Sequence, residues 1–192
     1  MWQKLLQESS FYLLLLAFDQ DLAEDYRQKG CGSCSGRVHR SAYSRKPRGG
    51  PAELAEDYAI RESYCCGEEG CRRRLTPPSL RFLGRRVYFG VVVVLVSAMV
   101  HGVTARRASS MHELCGVSVR TLRRWRKWWR EQFVRTGVWR GLRGRFANRV
   151  DESSLPASLL EKIHGEAEAE RALRALRLLL PLSAGANCLV DG

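Results

Sequence analysis

The sequence predicts an α+β fold that is mostly helical: a small cysteine-bearing unit with short strands, then a helical domain, then a C-terminal helix. Three observations carry this expectation. Cysteines cluster between Cys31 and Cys71 in a stretch rich in turn-forming residues. Apolar residues recur at helical spacing before and after that stretch. The segment Thr104–Arg149 holds thirteen Arg and Lys residues against two acids, Glu113 and Glu131, so its net +11 is nearly all of the chain's +12. A length of 192 residues suits one medium domain or two small ones.

Residues 1–29 are predicted as an N-terminal helix. Leu5, Leu6, Leu13, Leu16 and Leu22 recur at loose helical spacing, and Gly30 stops the run. Asp19, Asp21, Glu24 and Asp25 make its later half acidic and read as a solvated face. Residues 30–86 are the cysteine-bearing unit. CGSCSGRVHRSAY predicts a tight turn and a short strand, SYCCGEEGCRRRL two short strands around a Gly-rich turn, and TPPSLRFLGRR an extended linker.

Residues 87–136 are predicted as a buried connecting helix and a helix pair. The valines of Val87–Val100 favour a strand, but its length and its place between two units favour a helix. A fourteen-residue run is shorter than the roughly 20 residues a bilayer core requires, so no stable membrane insertion is expected. Thr104 caps a helix to Cys115, Gly116 and Val117 make a turn, and Ser118 caps a longer helix to about Phe133 or Thr136. Residues 137–155, rich in Gly and Arg, read as a basic arm or loop. Residues 156–192 read as a C-terminal helix capped by Ser153 or Ser154, interrupted near Gly165 and ended by Pro181, followed by a loose tail.

The seven cysteines are Cys31, Cys34, Cys65, Cys66, Cys71, Cys115 and Cys188. An odd count with no secretory signal at the start predicts a cytoplasmic protein that uses clustered thiols for metal rather than disulfides. In Cys31-x2-Cys34 both sulfurs can reach one ion from one turn, as in a zinc ribbon. Cys66-x4-Cys71 is the favoured second pair and Cys65-x5-Cys71 its rival, because adjacent strand residues point to opposite sides. His39 is a candidate substitute ligand whose ordinary reading is a surface histidine. Four thiolates close a Zn(II) site and leave no position for water, so the ion is expected to be structural. Cys115 reads as a buried core residue, and Cys188 suggests no role.

In the basic stretch Val119, Leu122, Trp125 and Trp129 are predicted to share the buried face, with Trp128 outward. Residues at the start of a recognition helix reach base edges in the major groove. Arg120, Thr121 and Arg124 are therefore the candidates for base contact. Arg123, Arg126, Lys127 and Arg130 are candidates for phosphates, which supply affinity and position. Arg140, Arg143, Arg145 and Arg149 would extend the contact as an arm along the DNA backbone or minor groove, or else form a solvated basic loop.

The segments CGSC, CCGEEGCRRRLTPPSLRFLGRR and HGVTARRASSMHELCGVSVRTLRRWRKWW resemble the N-terminal portion of insertion-sequence transposases and their accessory proteins, which pair a zinc ribbon with a helix-turn-helix. The likeness covers about 100 of the 192 residues. It implies zinc-ligand roles for Cys31, Cys34, Cys66 and Cys71, and recognition-helix positions for Arg120, Thr121 and Arg124. The chain departs from that family in its acids. Such transposases add a domain whose carboxylates hold two metal ions, whereas only Glu113, Glu131, Asp151 and Glu152 lie between Thr104 and Glu152, outside any strand-rich context. Glu161, Glu166, Glu168 and Glu170 read as a helical face, with Glu170 and Arg174 an i,i+4 pair. No catalytic residues are expected.

These observations predict a non-enzymatic, zinc-stabilised protein that reads double-stranded DNA, an accessory or regulator of a mobile element, associated with the nucleoid. It would act beside a recombinase or transposase partner, or as a homodimer through the 156–180 helix. Two alternatives follow from the same residues. One is the DNA-binding part of a transposase or nuclease whose catalytic domain a partner supplies. The other is an RNA-binding or protein-interaction adaptor. The RNA version requires Trp128 or Trp139 exposed as stacking platforms, and the adaptor version uses Leu173, Leu176 and Leu180.

Overall fold

The computed structural model describes residues 2–100 and 104–183. His101, Cys188 and most of the expected tail lie outside the described residues. The N-terminal helix α1 spans Ser9–Lys29, behind a single 3-10 turn at Leu5–Gln7. Its buried stripe is Phe11, Leu15, Asp19 and Ala23, with Tyr12 alongside. That is strict i,i+4 spacing, which places side chains on one face. The predicted stripe is corrected on two points. Leu13 is 57% exposed, and Asp19 occupies a core position rather than a solvated face.

Asp19 is held there by Arg81. Arg81 Nε donates to Asp19 Oδ2 at 2.8 Å, the Leu80 N–H to Oδ1 at 2.6 Å, and the Ser79 hydroxyl to Oδ2 at 2.5 Å. The rest of the Arg81 guanidinium donates to the carbonyls of Tyr58 and Ile60. A buried charge is tolerable only when paired and hydrogen-bonded on all sides, and this pair ties the linker segment to α1.

The cysteine unit contributes β1 (Val38–Arg40), β2 (Tyr43–Ser44), β3 (Ile60–Arg61), β4 (Tyr64–Cys66) and β5 (Arg74–Leu75). They form an antiparallel three-stranded sheet in the order β1-β4-β5 and an antiparallel pair β2-β3. The small sheet has its own apolar cluster, Ala23, Cys31, Val38, Tyr64 and Cys66. Tyr64 docks it on α1 by donating to the Ala23 carbonyl at 2.9 Å.

The valine run forms helix α2, Gly90–Met99, with every residue from Gly90 to Ala98 buried. A helix that is apolar all round has no face for water and belongs in a core; here it is the post on which the rest is hung. The described residues contain no helix long and apolar enough to cross a membrane. α3 spans Ala105–Cys115 and α4 spans Val119–Lys127. Both predicted caps form: the Thr104 side chain accepts from the Arg107 N–H, and Ser118 from the Thr121 N–H. Gly116, at φ 62° in the left-handed region, ends α3 where a side chain would be strained. Because Ser118 satisfies one of α4's free N–H groups, Ser118→Ala should lower stability by about 1 kcal/mol in urea unfolding.

Past Lys127 the helix widens into a π-helical turn, Trp128–Gln132, then tightens at Phe133–Arg135. Trp129 and Phe133, four residues apart across this turn, are both fully buried. Val119, predicted on the buried face, is 40% exposed. At 3.6 residues per turn it sits roughly 80–120° from Trp125 and Trp129, so only Leu122, Trp125 and Trp129 form the packed stripe.

The basic arm is also corrected. Residues Gly137–Arg143 form helix α5, capped by Thr136 and anchored by Trp139 and Leu142 on its buried side. The C-terminal helix is two helices, α6 (Ala157–Glu161) and α7 (Glu168–Leu178), with Gly165 in the break. Neither Ser153 nor Ser154 caps α6, since both hydroxyls turn back to Asp151. The predicted Glu170–Arg174 pair forms at 2.5 Å. α6 and α7 both pack on α2, and Leu176 is buried in the core.

Candidate metal centre and basic face

Two loops bring four thiols together. The first, Cys31 to Gly36, is closed by the Ser35 N–H to the Cys31 carbonyl at 2.7 Å and the Cys31 N–H to the Gly36 carbonyl at 2.9 Å. The second, Cys66 to Arg72, is closed by the N–H groups of Cys71 and Arg72 on the Glu68 carbonyl, both at 3.0 Å. In each loop the residue directly after the second cysteine, Ser35 or Arg72, takes positive φ. Gly36 lies close to the second loop: a Cβ there would lie 2.4 Å from Glu68 Cγ and 3.2 Å from Cys34 Sγ, so the Glu68 side chain would have to move.

The sulfurs of Cys31, Cys34, Cys66 and Cys71 all lie within 4.8 Å of one another, with Cys34 to Cys66 at 3.4 Å and Cys31 to Cys71 at 3.7 Å. A tetrahedron with metal–sulfur bonds of about 2.3 Å has sulfur–sulfur edges of about 3.8 Å. The four thiols therefore fit a metal ion. Backbone N–H groups are aimed at the sulfurs. Those of Ser33 and Cys34 draw the Cys31 thiol below its ordinary pKa. The Glu68 N–H draws the Cys66 thiol down, but burial and the neighbouring thiols outweigh it and push Cys66 up. Such N–H···S contacts stabilise the thiolates that a cation needs.

The choice between Cys65 and Cys66 is decided by register. Val38 pairs with Cys66 and His39 with Cys65 across β1 and β4. Val38, Tyr64 and Cys66 therefore face the cluster and α1, while Cys65 turns to the other side, where its thiol lies 3.6 Å from the Arg72 carbonyl. His39 is exposed on that other side and is not among the four clustered ligands. Cys115 is a buried core residue, and burial raises its thiol to about 11.

α4 stands on an aromatic base. The Trp125 ring meets Tyr88 edge-on at 5.0 Å, and the Tyr88 hydroxyl donates to the Gly116 carbonyl in the α3–α4 turn. Trp129, Phe133 and Trp139 continue the base at 4.7 and 5.3 Å ring to ring. Opposite this base Arg120, Arg123, Arg124, Lys127 and Arg130 are exposed, with Arg126 half-buried at the edge. The one carboxylate paired on this helix is Glu131, 3.8 Å from Lys127. The surface depression lined by Arg123, Arg126, Lys127, Arg130 and Glu131 is open space between charged side chains. Thr121 stands apart from the arginines: it is half-buried and its hydroxyl lies 3.0 Å from that of Ser118.

Arg140 and Arg143 are exposed on α5, and Arg143 lies 3.9 Å from Glu152. The stacking platforms required by an RNA reading are not present at the two named tryptophans. Trp139 is fully buried with its N–H on Glu152 at 2.8 Å, and Trp128 is half-buried beneath the Arg86 guanidinium, 3.8 Å from the ring centre. Sequence reasoning missed Arg86, since nothing in LGRR distinguishes it from Arg85. Comparison with protein-family models, with curated proteins and with solved structures finds no match to this chain.

Proposed function

We propose that this chain is a zinc-stabilised protein that reads double-stranded DNA through a helix-turn-helix formed by α3 and α4. The observation that carries the reading is the exposed arc Arg120, Arg123, Arg124, Lys127 and Arg130 on a helix backed by buried Leu122, Trp125 and Trp129. Among the described residues the one ion pair on this arc is Lys127 with Glu131, and cations placed this way are suited to a polyanion. The start of α4 is capped by Ser118 and has no acidic residue in its first turn, which suits base reading from a helix N-terminus. Arg120 and Arg124 would read bases; Arg123, Arg126, Lys127 and Arg130 would hold phosphates, with Arg140 and Arg143 on α5 adding backbone contacts. A closed four-thiolate tetrahedron is a geometry suited to zinc. A role as accessory or regulator of a mobile element, beside a recombinase or transposase, rests on the resemblance of the cysteine and arginine segments.

The test is selection of duplexes from a random pool, followed by binding at several salt concentrations. Arg124→Ala should flatten the preference at one base position, equivalent to about 1–3 kcal/mol of discrimination, with a modest loss of overall affinity. Arg130→Ala should weaken all duplexes alike. If Arg120→Ala and Arg124→Ala both leave preference and affinity as they were, α4 is not a reading helix.

A further inference from the structure

Beside α4 lies a second cationic feature, which shares Arg124 and Lys127 with the arc and adds Arg85 and Arg86. A groove of about 480 Å³ runs between the segment 85–88 and α4. Its polar walls are Arg85, Arg86, Arg124, Lys127 and Gln132, and Trp128 lines it beneath Arg86. No carboxylate lines it. Arg86 is fixed at both ends. Its carbonyl accepts from Arg45 at 2.8 Å, and Arg45 also holds the Gly84 carbonyl at 2.9 Å. Its guanidinium lies over the Trp128 ring, 3.8 Å from the ring centre. Among the described residues no acid forms an ion pair with it.

A half-buried cation held in one place, with a second cation beside it and no counter-ion, is an arrangement that folding alone disfavours. The cation–π contact with Trp128 offsets part of that penalty, and a guanidinium lining a groove without carboxylates is suited to a bidentate anion. We propose that Arg86, with Lys127, forms a seat for one phosphodiester of the DNA backbone. The proposal rests on the duplex-binding reading of α4. Burial, and then the nearby Arg124, lower Arg86 to about 10, so it stays charged at neutral pH and gains from any anion that enters. The position suits a backbone contact. A helix in the major groove has a phosphate strand along each flank, and Arg124 belongs both to the outward face of α4 and to the wall of this groove. One strand would then be clamped between α4 and the linker that leads from the cysteine unit, coupling that unit's placement to DNA affinity.

Two measurements test the seat. In the first, Arg86→Gln is compared with the wild type on several duplexes. Affinity should fall about tenfold on every sequence, as for loss of one charge-assisted contact, and the slope of log K against log salt should flatten by about 1. The second titrates inorganic phosphate into the wild-type full chain at constant ionic strength and follows arginine Nε–H and tryptophan indole resonances. Arg86 and Trp128 should shift most, and Arg149 little. If Arg86→Gln binds with wild-type affinity and slope while Arg123→Ala and Arg130→Ala are weakened, the seat is wrong and the α4 reading stands. If the wild type binds no duplex, the α4 reading fails, and a selective Arg86 shift with phosphate would still uphold an anion site. An Arg86 shift no larger than that of Arg149 overturns the seat even if the variant does not fold.

Discussion

Cys66→Ser should release the metal and unfold the cysteine unit, whereas Cys65→Ser should retain both. Free energy of metal capture at such sites is folding free energy, on the order of 10 kcal/mol for structural zinc. The small sheet has little else to stand on. Its own apolar cluster is Ala23, Cys31, Val38, Tyr64 and Cys66, two of which belong to the four-thiol cluster. Metal content by elemental analysis, and amide exchange across β1, β4 and β5, give the readout. Chelation of the wild type should reproduce the Cys66→Ser pattern, with protection in α2 retained because its valines are buried in a separate core. Binding requires thiolates, and Cys66 sits above its ordinary pKa in the metal-free cluster. Metal capture must therefore displace protons, and affinity should fall as the pH is lowered. Loss of metal in Cys65→Ser with retention in Cys66→Ser would overturn the ligand assignment.

Asp19→Ala should be the most damaging substitution outside the cysteines. It leaves the Arg81 guanidinium buried without its carboxylate and removes the acceptor for the Leu80 N–H and the Ser79 hydroxyl. Breaking a buried pair from one side costs about 3–5 kcal/mol, which for a chain of this size is a fall in Tm of roughly 10–15 °C. Asp21→Ala, two residues away and exposed, should change stability by less than about 0.5 kcal/mol. The double variant Asp19→Leu/Arg81→Met should recover much of the loss, since an apolar pair of similar volume can replace a buried ion pair. A Tm for Asp19→Ala equal to that of Asp21→Ala would show that the pair contributes nothing.

Several elements of the fold and site were legible because their causes are local. Thr104 and Ser118 announce helix starts through the hydroxyl each offers to an N–H three residues on, and Gly116 marks an end through its left-handed φ. The two cysteine loops were legible because each loop closes on its own backbone. Strand alternation showed that Cys65 and Cys66 cannot share a side, yet it is the pairing of Val38 with Cys66 that decides which one joins the four-thiol cluster. The 137–155 segment misled through its glycines. Gly137, Gly141 and Gly144 suggested a loop, but Trp139 and Leu142, three apart, reach the core and hold a helix that propensity would not.

By itself, then, the sequence determined the helix caps, the paired cysteine loops, the burial of the valine run and the concentration of positive charge, all set within a few residues of chain. Tertiary structure alone decided that Asp19 lies inside, that Val119 turns outward, and that Arg86 rests on Trp128. The first and last of these depend on partners 62 and 42 residues away along the chain. A lone carboxylate or guanidinium reads as solvated until the fold supplies the group that makes its burial affordable.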